Sequence, residues 1–156
     1  GGGQENRYRS GTENVPAIWG FAIAAKIINE NIDENRNKVR RLKSIVISEL
    51  DKFFGSGEYF VNSPPDAYEG IVNISFKNVK AQVLMQHLEA ESIIVSTGSA
   101  CSSRKNMQSH VLSAMNLPME RTEGAIRVSF SGMNTEDEAL MFAEAIKKIV
   151  PKIRYR

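Results

Sequence analysis

Apolar residues recur every three or four positions in three long stretches, the spacing that places them on one face of an α-helix. The first helix is predicted to start at Glu13 or Asn14, and Pro16 suits its first turn. Its apolar face is formed by Ile18, Phe21, Ile23, Ala25 and Ile28.

A second helix is predicted to follow Asp33, which has the side chain of a typical N-cap. The buried positions predicted for it are Val39, Leu42, Ile45, Val46, Leu50 and Phe53. The last helix is predicted to be capped by Asn134 or Thr135. Its inward residues are Leu140, Phe142, Ala143, Ile146 and Ile149.

Between these helices lie short runs typical of β-strands, bounded by glycine, proline and polar turn residues. The runs are EYFVNS (58–63), GIVNISFK (70–77), IIVST (93–97) and AIRVSF (125–130). In the second run, Asn73 and Ser75 alternate with Val72, Ile74 and Phe76. Two short helices are predicted within 80–92 and 109–117. Helices gathered around four short strands indicate a two-layer α+β domain with a mostly antiparallel sheet.

The opening residues GGGQENRYRSGTEN (1–14) have no hydrophobic periodicity and read as a loop. We therefore divide the chain into this glycine-rich segment and one domain over 15–156, with a further loop at 98–107. A chain of 156 residues, 42% of them hydrophobic, is long enough to bury a core without disulfides or metals.

The charge and cysteine content narrow the classes of function. A formal net charge of +2, with both signs interspersed, favours neither a nucleic-acid partner nor an acidic substrate. A single cysteine excludes an intramolecular disulfide framework and any multi-cysteine metal site built from this chain alone. No apolar run has the length that spans a bilayer. We expect no metal, no membrane, and a reducing, cytoplasmic setting.

That one cysteine, Cys101, lies in the sequence STGSACSSRKN among small hydroxyl residues, with Arg104 and Lys105 just behind it. These neighbours are poorly suited to a packed core position. Nearby cations lower a thiol pKa and increase the thiolate fraction, which is the nucleophilic form. The sequence therefore predicts an accessible, reactive thiol. His110 begins the following predicted helix and is a candidate neighbour of that thiol.

Two further sites are candidates for binding anions. The sequence RSGT (9–12) combines an arginine, two hydroxyls and a glycine, a turn composition that can hold a phosphate. Arg127 lies in an apolar strand between Ile126 and Val128. Strand alternation turns it away from both, either to solvent or to a cleft where its guanidinium could bind a carboxylate with two hydrogen bonds.

Taken together, four segments resemble the C-terminal part of NifS/IscS-type cysteine desulfurases, which are pyridoxal-phosphate enzymes of the aminotransferase fold. The segments are GGGQE…RSGTEN, VSTGSACSS, SHVLSAMNL and AIRVSFSGMNTEDE, in the family's order and at compatible spacing. The resemblance extends over essentially the whole chain and implies the small C-terminal domain of that fold.

The resemblance also implies a role for each candidate residue. Cys101 is the thiol that takes sulfur from L-cysteine, leaving L-alanine and a persulfide that passes to an iron–sulfur scaffold or another acceptor protein. Arg127 matches the arginine that binds the substrate carboxylate. Thr12 matches the threonine that contacts the phosphate of pyridoxal phosphate across the interface of a homodimer.

One part of the family pattern is missing. The cofactor lysine of the family lies in a Ser-x-His-Lys context in an N-terminal large domain, and no lysine of this chain has that context. We therefore expect the chain to be the C-terminal portion of an enzyme and to be inactive without the cofactor-lysine domain.

Three alternatives stay open at this point. A selenocysteine lyase would use the same residues. A thiol redox protein would cycle Cys101 through sulfenic acid. A non-catalytic interaction domain would bind an acidic partner through the basic helix 34–52, although a solvated helix face explains those charges more simply.

Overall fold

The computed structural model describes residues 2–97 and 109–155. Its contacts divide the chain into two compact units, Gly1–Glu34 and Asn35–Arg156. The second unit holds the sheet, and the two units are described separately below.

The first unit contains a short turn and one helix, α1 (Val15–Glu30). Asn14 is the N-cap, as the sequence predicts, because its side chain accepts a hydrogen bond from the backbone N–H of Ala17. Pro16 lies in the first turn. None of the residues of α1 is buried, so its apolar side chains are exposed, with Trp19 at 69% and Phe21 at 78%.

The second unit combines a four-stranded sheet with helices in the order given by its elements. These are α2 (Ile32–Phe53, whose first turn belongs to the first unit), β1 (Tyr59–Val61), β2 (Ile71–Phe76), α3 (Ala81–Ala90), β3 (Ser96–Thr97), α4 (His110–Ala114), α5 (Met119–Glu123), β4 (Ala125–Ser129) and α6 (Glu136–Ile153). The strand order is β1-β2-β4-β3, and every neighbouring pair is antiparallel. The predicted α+β class with a mostly antiparallel sheet is confirmed.

One face of the sheet packs against α2, α3 and α6 to form the core. The strands contribute Val72, Ile74 and Phe76 from β2 with Ile126 and Val128 from β4. The helices contribute Leu42, Val46, Leu50, Leu84, Leu88, Phe142, Ile146, Ile149 and Val150. Each such side chain, when fully buried, stabilises the fold by about 1.5–3 kcal/mol relative to exposure. Thr135 begins α6 with a capping box to Glu138, which confirms one of the two predicted caps.

The buried stripe of α2 differs from the prediction at its ends. Asp33 is not the N-cap, because α2 already begins at Ile32 and Asp33 lies in the first turn. Phe53 is 51% exposed, whereas Phe54 is buried. The backbone N–H of Phe54 still donates to the carbonyl of Leu50 at 2.8 Å, so the helical step of four residues carries Phe54 inward.

Three further details depart from the sequence pattern. Leu140 is 42% exposed, because the buried positions of α6 run through Ala139 and Phe142 on either side of it. Strand β3 is limited to Ser96–Thr97, because the N–H of Ile93 is bonded to the carbonyl of Leu88 at the end of α3. The five-residue helix α5 was not predicted.

The strand that carries Arg127 is joined to α5 by Gly124, which is buried against backbone. A Cβ at this position would lie 2.3 Å from the carbonyl oxygen of Phe76 and 2.8 Å from that of Val79. Only glycine allows such an approach without moving the backbone. Gly124 therefore lets α5 pass directly into β4 beside β2.

The basic face of α2 is bound largely by this unit's own residues. Arg36 and Arg40 form ion pairs with Glu69 at 3.3 and 2.7 Å, and Arg41 pairs with Glu136 at 2.7 Å. Arginines already bonded to internal carboxylates are less available to an acidic partner. The interaction-domain hypothesis loses its main support.

Lowering the pH should weaken this unit partly through Glu69. The hydrogen bond from Arg40, followed by a backbone N–H and Arg36, lowers the pKa of Glu69 from 4.5 to about 2. A carboxyl whose pKa is lower in the folded state contributes stability above pH 4.5 and loses it as the pH falls towards 2. In urea unfolding of the purified protein, Glu69→Gln should therefore flatten the decline in stability between pH 4.5 and 2.

The matched control for that measurement is Glu89→Gln. Glu89 is exposed on α3 and makes no ion pair with the described residues. Its replacement should leave the wild-type pH dependence unchanged. A Glu69→Gln variant with the full wild-type slope would show that the Arg36–Arg40 pairing adds nothing to stability.

Candidate functional site

The second face of the sheet is polar and carries the candidate arginine. Alternation places Asn73 and Ser75 of β2, with Arg127 and Ser129 of β4, opposite the core residues of the same strands. We call this surface the polar face. Of its members, Arg127 and Ser129 are exposed, Asn73 is half-buried and Ser75 is fully buried.

Four residues form a line across this face, one beside the next on neighbouring strands. Asn73 is the cross-strand partner of Arg127, and Arg127 is the partner of Ser96 on β3. Beyond β1, the N–H of Asn62 donates to the carbonyl of Asn73 at 2.8 Å. Directly opposite residues have Cβ atoms about 4.5–5.5 Å apart. We call Asn62, Asn73, Arg127 and Ser96 the polar row.

A hydrogen-bond network holds one end of the polar row. Arg121 of α5 donates from Nε to Asn62 Oδ1 at 2.9 Å and from Nη2 to the carbonyl of Val61 at 3.2 Å. Asn62 Nδ2 donates to Asn73 Oδ1 at 2.7 Å and to Ser75 Oγ at 3.1 Å. Asn62 is 5% exposed, so its amide is satisfied by protein groups as a buried amide must be.

The guanidinium of Arg121 is further positioned by an aromatic ring. Its central carbon lies 4.9 Å from the ring centroid of Phe60, within the distance at which a cation is attracted to an aromatic face. Helix α5 is thereby fastened to the β1 edge of the sheet. The network fixes Asn62 from three sides.

Arg127 lies on the polar face with its side chain away from Ile126 and Val128, as alternation predicts. Across residues 2–97 and 109–155, no carboxylate comes within 4 Å of its guanidinium. An exposed guanidinium without an internal carboxylate can bind a ligand carboxylate with two parallel hydrogen bonds. Its role as the substrate arginine stays a prediction.

Cys101 and the predicted loop 98–107 lie largely outside the described residues. The chain nevertheless links them to the polar row, because Ser96 precedes Cys101 by five positions. Five residues of extended chain span at most about 18 Å. Connectivity alone therefore keeps the thiol within that distance of Ser96. His110 is the first residue of α4, and its part in the chemistry stays a prediction.

Thr12 belongs to the first unit, in the exposed turn formed by RSGT. Gly11 has a φ of +99°, and its N–H donates to Gln4 Oε1 at 3.3 Å. The backbone oxygen of Thr12 accepts a hydrogen bond from Arg9 Nη1 at 2.7 Å. The turn thus brings a guanidinium and the Thr12 residue together, and the hydroxyls of Ser10 and Thr12 are groups that phosphates accept hydrogen bonds from.

Within the described ranges, no three histidine, cysteine, aspartate or glutamate side chains converge as a metal site would require. In the same ranges, no helix combines the length and the apolar character needed to cross a membrane.

Sequence reasoning missed Asn62, Asn73 and Arg121 as members of a site. The alternation of β2 already placed Asn73 and Ser75 on one face, which was the available signal. Arg121 gave none, because its helix was not predicted.

Comparison with known proteins gives a consistent result. Residues 2–142 match the model of the family described as aminotransferase class-V. The chain is 34% identical over 155 residues to cysteine desulfurase IscS of Dictyoglomus turgidum, covering 99% of this chain and 39% of that protein. It is also 34% identical over 154 residues to cysteine desulfurase IscS of Methanosarcina thermophila, covering 99% and 38%.

The fold agrees with solved structures. A NifS-like protein from Rickettsia africae superimposes with a TM-score of 0.80 at 34% identity, covering 97% of this chain and 39% of that one. A second NifS-like protein gives 0.81 at 33% identity, covering 97% and 38%. The chain spans about two fifths of the length of these relatives. The similarity to NifS/IscS-type proteins and the aminotransferase fold predicted from the motifs are confirmed, and the chain belongs to the class-V aminotransferase family.

Proposed function

We propose that this chain is the C-terminal part of a cysteine desulfurase, carrying the sulfur-accepting thiol and the substrate arginine. The observation that carries the proposal is the position of Arg127. It is exposed on the polar face and lies directly beside the strand that leads to Cys101. Relatives named cysteine desulfurase, which align with 99% of the chain, support it.

In this proposal Arg127 holds the α-carboxylate of L-cysteine and so fixes where the substrate sulfur lies. The thiolate of Cys101 attacks that sulfur. A sulfur–sulfur bond forms as the substrate carbon–sulfur bond breaks, and the electron pair of the broken bond stays with the carbon fragment. That fragment takes up a proton and leaves as L-alanine. Cys101 is left as a persulfide.

The persulfide then serves as a sulfur donor. An acceptor thiolate, on an iron–sulfur scaffold or another acceptor protein, attacks the outer sulfur, and Cys101 leaves as thiolate. Only a thiol reachable from outside can complete both steps, which agrees with the hydroxyl-rich, cationic sequence around Cys101.

Pyridoxal phosphate, when bound, supplies the electron sink for the substrate carbon. The donors of the RSGT turn fit its phosphate, and Thr12 is the residue of this chain that would contact it across a homodimer interface. The cofactor lysine belongs, in this proposal, to the portion of the relatives that this chain does not cover. The chain alone would then be inactive, and the complete enzyme would be a cytoplasmic homodimer.

The full-length protein that contains this chain provides the test. Incubated with pyridoxal phosphate, L-cysteine and a thiol reductant, it should release alanine and sulfide in equal amounts. A higher kcat/KM for L-selenocysteine than for L-cysteine would identify a selenocysteine lyase instead. Peroxide-dependent oxidation of Cys101 without any alanine would support the thiol redox alternative and contradict the proposal.

A further inference from the structure

The amide orientations along the polar row are determined by Arg121. A guanidinium has donors and no acceptor, so the atom of Asn62 that receives the bond from Arg121 Nε must be the amide oxygen. The Nδ2 group of Asn62 is then the donor, and it bonds to Asn73 and Ser75. The usual ambiguity between amide oxygen and nitrogen is therefore removed by chemistry.

The same logic passes one residue further to Asn73. Because Asn62 donates to it, the acceptor atom of Asn73 must be Oδ1, at 2.7 Å. The Nδ2 group of Asn73 is consequently on the other side of that amide. It donates to no group of the described residues, and it is not a buried unpartnered atom, so it is open to solvent.

The neighbour of Asn73 on β4 is Arg127. The two residues are direct cross-strand partners on the polar face, with Cβ atoms about 4.5–5.5 Å apart by the geometry of such pairs. Two donors, one guanidinium and one amide N–H, are thus presented side by side. A carboxylate accepts several hydrogen bonds through its two oxygens, which makes it the ligand that suits this pair.

We propose that Asn73 is a second substrate-binding residue, donating from Nδ2 to the same carboxylate that Arg127 holds, with Arg121 and Asn62 as positioning residues. This inference rests on the proposed function and extends it to the specificity of the site. The amide adds a donor at a fixed angle to the guanidinium, so the pair selects an amino acid with an α-carboxylate over an amine without one.

The test uses the full-length protein and two ligands that differ in the carboxylate, L-cysteine and cysteamine. Asn73→Asp keeps the acceptor that Asn62 needs and removes the donor. Asn73→Ser removes the donor's reach without adding charge. Both variants should raise the half-saturating concentration of L-cysteine about tenfold, as expected for the loss of one hydrogen bond to a charged group. That of cysteamine should change less than twofold, with kcat for L-cysteine nearly unchanged.

Ser129→Ala is the matched control, because Ser129 lies on the same face two positions along β4 and outside the polar row. It should titrate like wild type with both ligands. Equal weakening for L-cysteine and cysteamine, together with a lower melting temperature, would mean that Asn73 is only structural and would overturn the inference. A wild-type protein that turns L-cysteine over while both Asn73 variants titrate normally would overturn this inference alone. Absence of any wild-type response to L-cysteine would overturn the proposed function as well.

Discussion

Replacing Cys101 with serine should abolish sulfur release by the full-length protein. A serine hydroxyl is far less acidic than a thiol and cannot form a persulfide, so sulfide production should fall by a factor of roughly 10³ or more. Binding of L-cysteine should persist, because Arg127 remains in place. The measurement is sulfide and alanine formation, alongside the absorbance change of the cofactor on adding L-cysteine.

Ser102→Ala is the control, since it alters the same segment without touching the thiol. It should retain most of the activity. In the wild type, a small alkylating reagent should label Cys101 in the native state and stop sulfide release in proportion. Undiminished sulfide release by Cys101→Ser would remove the thiol from the mechanism.

Much of the fold could be predicted because local patterns and tertiary packing agree. The alternation in β2 places Val72, Ile74 and Phe76 inward, and the structure buries all three. The Thr135 cap was legible for the same reason, since a capping box involves only neighbours in sequence. Helix α5 was not predictable, because it is one short turn without apolar periodicity and is fastened to the sheet by Arg121.

The candidate site divides along the same line. Strand alternation was enough to turn Arg127 away from the core. It could not show what lies beside Arg127, because that depends on the strand order, which inserts β4 between β2 and β3. Asn73 and Ser96 become its neighbours only through pairing with strands distant in sequence. The roles of Cys101 and Thr12 stay predictions that rest on their sequence motifs.

Substituting lysine for Arg127 should lower kcat/KM for L-cysteine in the full-length protein by roughly ten- to a hundredfold. Lysine keeps the positive charge but replaces a planar fork with a single ammonium, so the two parallel hydrogen bonds to the carboxylate are lost. Losing a charge-assisted contact of this kind costs about 1.5–3 kcal/mol. The loss should appear mainly in KM, because Arg127 binds the substrate and does not attack its sulfur.

Two further measurements make the Arg127 result specific. Arg41→Lys is the matched control, because Arg41 is also exposed but pairs with Glu136 on α6, so its replacement should leave kcat/KM unchanged. The rate at which a small alkylating reagent labels Cys101 should be the same in both variants and in the wild type, since neither substitution alters the thiol. An Arg127→Lys protein with wild-type kcat/KM would show that the guanidinium only faces water, and the polar row would then lose its substrate. A large loss confined to Arg127→Lys, with the thiol still reactive, would separate binding of the carboxylate from attack on the sulfur and assign the two steps to Arg127 and Cys101.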